Sequence, residues 1–223
     1  MQCMDSAQVC LFDAQLTAAW FHEYEGPDPA DCSDESNVGV VPRVMAMVLG
    51  TWREGQSIEL KTDPETGDKL TVTLAGDPNH LDKFFEVHRV ESDAETLDLS
   101  NKADSQIDLV LPTKRMTELV GQLLIFDSVL RVDFGEDSIS FEWQGEEGAL
   151  KVDVALDDVT EYAIGTPLNQ QFSLSYLQTM CGFGKLSSEI AMKFSEEQPM
   201  EVRYDLGEES HATLYLAPKI ADD

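Results

Sequence analysis

Ser57-Ile58-Glu59-Leu60-Lys61 and, 132 residues later, Glu189-Ile190-Ala191-Met192-Lys193 decide the reading of this chain. Ile58 matches Ile190, Leu60 matches Met192 and Lys61 matches Lys193. Each stretch alternates apolar and polar residues, the period of a half-buried strand. Each is preceded by a short apolar helix pattern, Val44 to Gly50 in one case and Leu177 to Gly182 in the other. Each is followed by a turn and a second alternating run, Leu70-Thr71-Val72-Thr73-Leu74 and Met200-Glu201-Val202-Arg203-Tyr204. After the turn the spacing closes to 130, with Val72 on Val202. Two copies of one helix-and-sheet module are therefore expected.

Outward from these stretches the same chemistry recurs. Ser138 to Trp143, Leu150 to Ala155 and Ala212 to Leu216 alternate between clusters of Gly, Asp and Pro, the pattern of an antiparallel sheet with one wet face. Met116, Leu119, Val120, Leu123 and Leu124 follow Pro112 at i, i+3, i+4, i+7 and i+8, which predicts an amphipathic helix with proline in its first turn. Shorter helices are expected at Pro42 to Leu49 and at Ser173 to Cys181. The second module has a full lead-in: a strand at Gln106 to Leu111, the Pro112 helix and a strand near Leu130 to Phe134. Counted back by 132, the first module's counterpart falls before Met1. The first module is thus expected to be incomplete. A truncated gene and a divergent, viral form are the two readings of that.

Composition bounds the function. The 223 residues carry 43 Asp and Glu against 15 Lys and Arg, a formal net charge of -28. Seven bases against twenty-one acids up to Ser105, and eight against twenty-two after it, leave -14 on each side. A binding face for nucleic acid must then be local, since the surface as a whole repels phosphate. No stretch approaches the roughly 20 apolar residues of a membrane helix. No basic-then-apolar leader opens the sequence.

Site chemistry is sparse. Cys3, Cys10, Cys32 and Cys181 lack the spacing of a zinc or redox pair and are read as reduced core thiols. His22, His80, His88 and His211 include no i, i+4 pair, and no metal is expected. Gly182-Phe183-Gly184-Lys185 lacks the earlier glycine and the following Ser or Thr of a phosphate loop; it reads as a turn after a helix. Asp63 to Asp68 reads as a hairpin turn and Asp28 to Asn37 as a solvated loop. No nucleophile, catalytic acid pair or metal set supports an enzyme, and no cofactor is implied.

Several motifs in order carry a family resemblance. Tyr215-Leu216-Ala217-Pro218-Lys219-Ile220 resembles the tail of the proliferating cell nuclear antigen family, the sliding DNA clamps. Met4-Asp5-Ser6-Ala7-Gln8-Val9 is similar to that family's Met-Asp-Ser-Ser-His-Val. Leu174-Ser175-Tyr176-Leu177, Leu186-Ser187-Ser188 and the Gln198-Pro199 turn match in between. The resemblance spans nearly the whole chain and is strongest after Phe172.

The resemblance implies an α+β clamp fold: two similar modules of antiparallel sheet, with helices on the channel side. Module one would span residues 1–90, the interdomain connecting loop 91–105 and module two 106–223. It implies a homotrimeric ring around duplex DNA that is not an enzyme. It also implies docking of DNA polymerase, the clamp loader and other proteins through short peptides. The nucleus or a viral replication compartment is the implied location. The implied peptide pocket comprises Met4, Gln8, Val9, Leu11, Leu97, Leu99, Pro199, Tyr215, Ala217, Pro218 and Ile220. Gln8 stands where the family has histidine, which alters one polar contact. Subunits would join edge to edge through Phe84, Phe85 and Val87 on one copy and Leu150, Val152 and Val154 on the next. The implied channel cations are Arg43, Arg53, Lys114, Arg115 and Lys185. They are fewer than the family's, with Met47, Gly50, Glu118, Gly121, Ser175 and Gly182 at channel positions. That thin basic face motivates an alternative, a clamp-like decoy that binds partner peptides without encircling DNA. The acidic charge motivates a third, a DNA mimic. A heterotrimeric checkpoint-type clamp is a further family form.

Overall fold

A computed structural model describes residues 1–26, 38–62, 67–90, 97, 104–123, 129–145 and 148–219. In chain order the elements are β1 (Gln2–Met4), β2 (Cys10–Gln15), α1 (Pro42–Leu49), β3 (Ser57–Thr62), β4 (Lys69–Ala75), β5 (Lys83–His88) and β6 (Ile107–Pro112). They continue with α2 (Thr113–Leu123), β7 (Val129–Gly135), β8 (Ser138–Gly145), β9 (Gly148–Val154), β10 (Glu161–Ile164) and β11 (Leu168–Ser173). Last come α3 (Leu174–Cys181), β12 (Glu189–Phe194), β13 (Met200–Gly207) and β14 (Ser210–Leu216). This is an α+β fold of antiparallel sheets with three α-helices among the described residues.

The chain divides into two compact units. The larger joins Met1–Tyr24 to Asp98–Asp223; the smaller is Glu25–Leu97. The larger unit has a seven-stranded sheet ordered β1-β2-β14-β13-β12-β6-β10 and a four-stranded sheet ordered β11-β7-β8-β9. Its single core takes Leu109, Met192, Val202 and Leu214 from the first sheet and Leu130, Phe141 and Phe172 from the second. Met116, Leu119, Val120 and Leu123 of α2 and Leu174, Leu177, Met180 and Cys181 of α3 complete it. Full burial of each such side chain stabilises by about 1.5–3 kcal/mol, so the apolar stripe rather than propensity holds α2 in place. The two helices are tied side by side where the Thr117 hydroxyl donates to the Cys181 carbonyl at 2.9 Å. The Tyr204 hydroxyl on β13 donates to the Met180 carbonyl at 2.7 Å, fixing α3 to the sheet.

The repeat holds at the level of register. Leu60 pairs with Val72 between β3 and β4, and Met192 pairs with Val202 between β12 and β13. The smaller unit packs Val48, Leu70, Val72, Leu74 and Val87 beneath α1 and its three-stranded sheet, ordered β3-β4-β5.

Some expectations are corrected or fall outside view. Pro112 ends β6 rather than sitting inside the helix, because its backbone still pairs with Glu189. The four cysteines are not all core thiols: Cys181 is buried, Cys10 half-buried and Cys3 exposed on the short strand β1. Cys32, Leu99, Ile220, most of the Asp63–Asp68 turn and the 28–37 loop lie outside the described residues. The expected connecting loop, 91–105, is described only at Leu97, Asp104 and Ser105.

Candidate docking, edge and channel surfaces

Strand pairing assembles the expected pocket residues from opposite ends of the chain. Met4 pairs with Leu11, Leu11 with Tyr215, and Tyr215 with Glu201, a continuous row across β1, β2, β14 and β13. Residues paired across strands share a sheet face. Leu214 and Leu216 point into the core, so this row lies on the opposite face. One step along, the Ala217 N–H donates to the Val9 carbonyl at 3.0 Å, extending the ladder past β14. The result is a short apolar band: Leu11 and Tyr215 are buried, Met4 and Val9 are 42% and 36% exposed, and Ala217 and Pro218 are half-buried. Pro199 stands exposed just before β13, beside the end of β14. The Lys219 N–H donates to the Gln171 carbonyl at 2.7 Å, which fixes the tail as it leaves the band. Leu97 belongs to the smaller unit and is exposed.

The loop that presents Gln8 and Val9 is built around Asp5. Its carboxylate accepts from the backbone N–H groups of Val9 and Cys10, each at 2.9 Å, from Ala7 at 3.3 Å, and from the Tyr176 hydroxyl at 2.6 Å. The Tyr176 bond and these amides hold the Asp5 carboxyl down to about 2. The same bond pushes the Tyr176 phenol up. Gln8 adopts φ 58°, the left-handed region, at the tip of this turn. Asp5 and Tyr176 are supports that sequence reasoning missed. Asp in Asp-Ser-Ala-Gln is a turn signal, but its partner lies 171 residues away.

The expected joining segments lie on β5 and β9, which are end strands of their sheets among the described residues. β5 closes one side of the three-stranded sheet and β9 one side of the four-stranded sheet. On β5 the two phenylalanines diverge: Phe85 packs against its own core with Val87, whereas Phe84 is 72% exposed. On β9, Leu150, Val152 and Val154 lean on the larger core, leaving the backbone edge open among the described residues.

The expected channel cations sit on or beside helices. Arg43 is exposed on α1, and Arg53 follows it, its guanidinium donating to the Trp52 carbonyl at 2.8 Å. Lys114 and Arg115 lie exposed in the first turn of α2, and Lys185 is exposed in the turn after α3. Lys114 pairs with Glu118 at 3.8 Å and Arg115 with Asp158 at 3.3 Å, so part of this charge is already neutralised. Among the described residues, no group of three His, Cys, Asp or Glu side chains could hold a metal ion.

Comparison with known proteins places the chain in one family. Residues 101–219, more than half of the chain, match the model of the proliferating cell nuclear antigen C-terminal domain. Three similar proteins each align over the whole chain. Proliferating cell nuclear antigen of Chaetomium thermophilum is 24% identical, with 86% of its length covered. That of Caenorhabditis elegans is 25% identical, with 85% covered. Proliferating cell nuclear antigen 2 of Drosophila melanogaster is 21% identical, with 85% covered. The chain belongs to the proliferating cell nuclear antigen family of sliding clamps.

Proposed function

We propose that this chain is a DNA polymerase processivity factor, a non-enzymatic ring that encircles duplex DNA. Copies join head to tail, β5 of one adding to β9 of the next, so that three copies close a homotrimer. Such a heterologous contact forms a ring when its rotation closes. The open edges at β5 and β9 support this, because unpaired edges of that length are otherwise aggregation sites. Arg43 on α1, Lys114 and Arg115 on α2, and Arg53 and Lys185 in the turns after α1 and α3 would face DNA phosphates without reading sequence. The band of Met4, Val9, Leu11, Tyr215, Ala217 and Pro218, with Leu97, Leu99 and Ile220 added from the connecting loop and tail, would take the apolar anchors of partner peptides. Polymerase, clamp loader and repair proteins are the partners, and the nucleus or a viral replication compartment is the location. The module bounds 1–90, 91–105 and 106–223 are those the family resemblance implies; the compact units divide the chain differently, with Met1–Tyr24 joined to the larger one.

The observation that carries this reading is the Met4–Leu11–Tyr215 row. It brings the two ends of the chain together into an apolar strip on a face the core does not use. Sizing tests the ring: purified chain should run at about three times its 24.8 kDa mass. Phe84→Asp with Val152→Asp should shift it to monomer. A monomer at tens of micromolar in the unmodified chain sinks the ring.

One observation favours a second reading. Lys114 and Arg115 are already paired with acids, which suits a decoy that captures partner peptides off DNA. A chain that binds such a peptide but fails to raise polymerase processivity would support it.

A further inference from the structure

The turn that follows α3 sets an aromatic ring and a lysine beside the first turn of α2. Phe183 sits between Gly182 and Gly184, and the turn is closed where the Leu186 N–H donates to the Phe183 carbonyl at 2.8 Å. It is seated on α2: the Thr113 N–H donates to the Ser188 carbonyl and the Thr113 hydroxyl to the Ser187 carbonyl, each at 2.9 Å. A Cβ on Gly184 would lie 3.3 Å from Thr113 Cγ2, so Lys185 and Lys114 each follow directly on a residue of that contact. Arg115 is next along α2. A T-shaped contact with Tyr204, ring centroids 6.3 Å apart, anchors the Phe183 ring but does not cover it: Phe183 is 40% exposed and Leu186 46%. The core does not account for this ring, since it takes Leu174, Leu177, Met180 and Cys181 from α3 and stops there.

We propose that this turn is a binding site for single-stranded DNA, in which Phe183 stacks on an unpaired base and Lys185, Lys114 and Arg115 hold the adjoining phosphates. Two complementarities select the ligand. Phosphate answers three cations gathered at one place in a chain that carries only fifteen Lys and Arg. Stacking on an aromatic ring is the sequence-tolerant contact of single-strand binders. A duplex keeps its bases stacked on one another and offers the ring no free face. Lys185 has no acid partner among the described residues. Lys114 with Glu118 and Arg115 with Asp158 are exposed pairs, which contribute little and yield to phosphate. Acids mark the other side of the turn: Glu189, Asp205, Glu208 and Glu209 line one groove with Leu186. The phosphates of the strand therefore keep to the α2 side. The site shares its cations with the duplex-facing surface proposed above, but it needs no ring.

The probe is a fluorescein-labelled oligothymidylate about twenty nucleotides long, titrated with the full chain at about 50 mM salt and followed by anisotropy. Saturable binding is expected. Phe183→Ala should weaken it about tenfold, the size of one lost base–aromatic stack, and leave binding to a blunt duplex of the same length unchanged. Near-ultraviolet circular dichroism checks that the variant folds. Phe183→Trp should keep the affinity, and the indole emission it adds over the unmodified chain should be quenched by the strand. Lys185→Gln should lower the log–log salt slope by about 0.7. An abasic strand of the same length should bind the unmodified chain no better than it binds the Phe183→Ala variant. No saturable binding of the oligothymidylate overturns the proposal. So does a Phe183→Ala variant that binds it as tightly as before, or that loses the duplex to the same degree. A Phe183→Ala variant that keeps the strand but loses self-association also overturns it and assigns the turn to a second copy. A monomer on sizing would remove the ring and leave all these readings intact, so the two proposals fail separately.

Discussion

At neutral pH the Asp5 carboxylate is an acceptor-only group with four donors around it, and this sets how the loop before β2 responds to acid. Its folded value, about 2, lies below its ordinary 3.8. A depressed carboxyl contributes order that is complete above the ordinary value and is lost as pH falls toward the folded one. Amide protection at Val9 and Cys10 should therefore fall between about pH 4 and pH 2. Asp5→Asn should show no transition in that window. Tyr176→Phe removes the largest cause of the depression, so the Asp5 carboxyl should titrate nearer its ordinary value, followed by its carbon-13 shift. The cysteines make a second test. Burial pushes the Cys181 thiol up to about 12 and raises that of Cys10, while Cys3 stands exposed. Thiolate is the reactive form. Of these three, Cys3 should be alkylated first at pH 8, Cys10 more slowly and Cys181 only on unfolding, read by mass spectrometry.

Among elements, the segment leading into α1 depends on one missing side chain. The Val90 N–H donates to the Gly39 carbonyl at 3.0 Å, and a Cβ on Gly39 would run into the Val90 carbonyl oxygen. That oxygen is backbone and cannot swing aside. Gly39→Ala should destabilise the smaller unit by about 1–3 kcal/mol, measured by urea unfolding. Elements with clean periodicity are legible in the residues alone: β3, β4, β12 and β13 from alternation, and α2 from its i, i+3, i+4 stripe. β11 is not, because its inward positions read Leu168, Gln170 and Phe172. A glutamine in a core position breaks the binary pattern, although here its amide N–H is satisfied by the Ser195 carbonyl at 2.8 Å. β10 is only four residues long, too short for a period to register. The docking band is legible only through family resemblance. Alternation marks which face a residue takes but says nothing of β2 pairing with β14, some two hundred residues away. Phe84 and Phe85 show the same limit: alternation puts them on opposite faces, and only the packing shows that Phe85 is the inward one.

Across the whole molecule the question is whether a chain of net charge -28 can stay on DNA. Lys114 and Arg115 occupy the first turn of α2, where the helix dipole disfavours cations by about 0.3–1 kcal/mol each. A placement that costs stability fits a residue kept for function. Lys114→Gln with Arg115→Gln should thus leave thermal stability equal or slightly higher, since the surface ion pairs they lose contribute little. It should also weaken DNA association and flatten its salt dependence, because each phosphate contact adds about 0.9 to the log–log slope. With so few cations, contact alone would release the protein early in a salt gradient, whereas a closed ring is retained by topology. The two are separable on linear duplex whose ends are blocked after the protein has threaded on. At about 1 M salt the screening length is about 3 Å and charge contacts are lost. A ring should remain on the blocked duplex and leave within the same wash once one end is cut free. Elution at one salt concentration from blocked and open duplex would mean that the acidic chain does not encircle DNA, and the peptide-capturing reading would take its place.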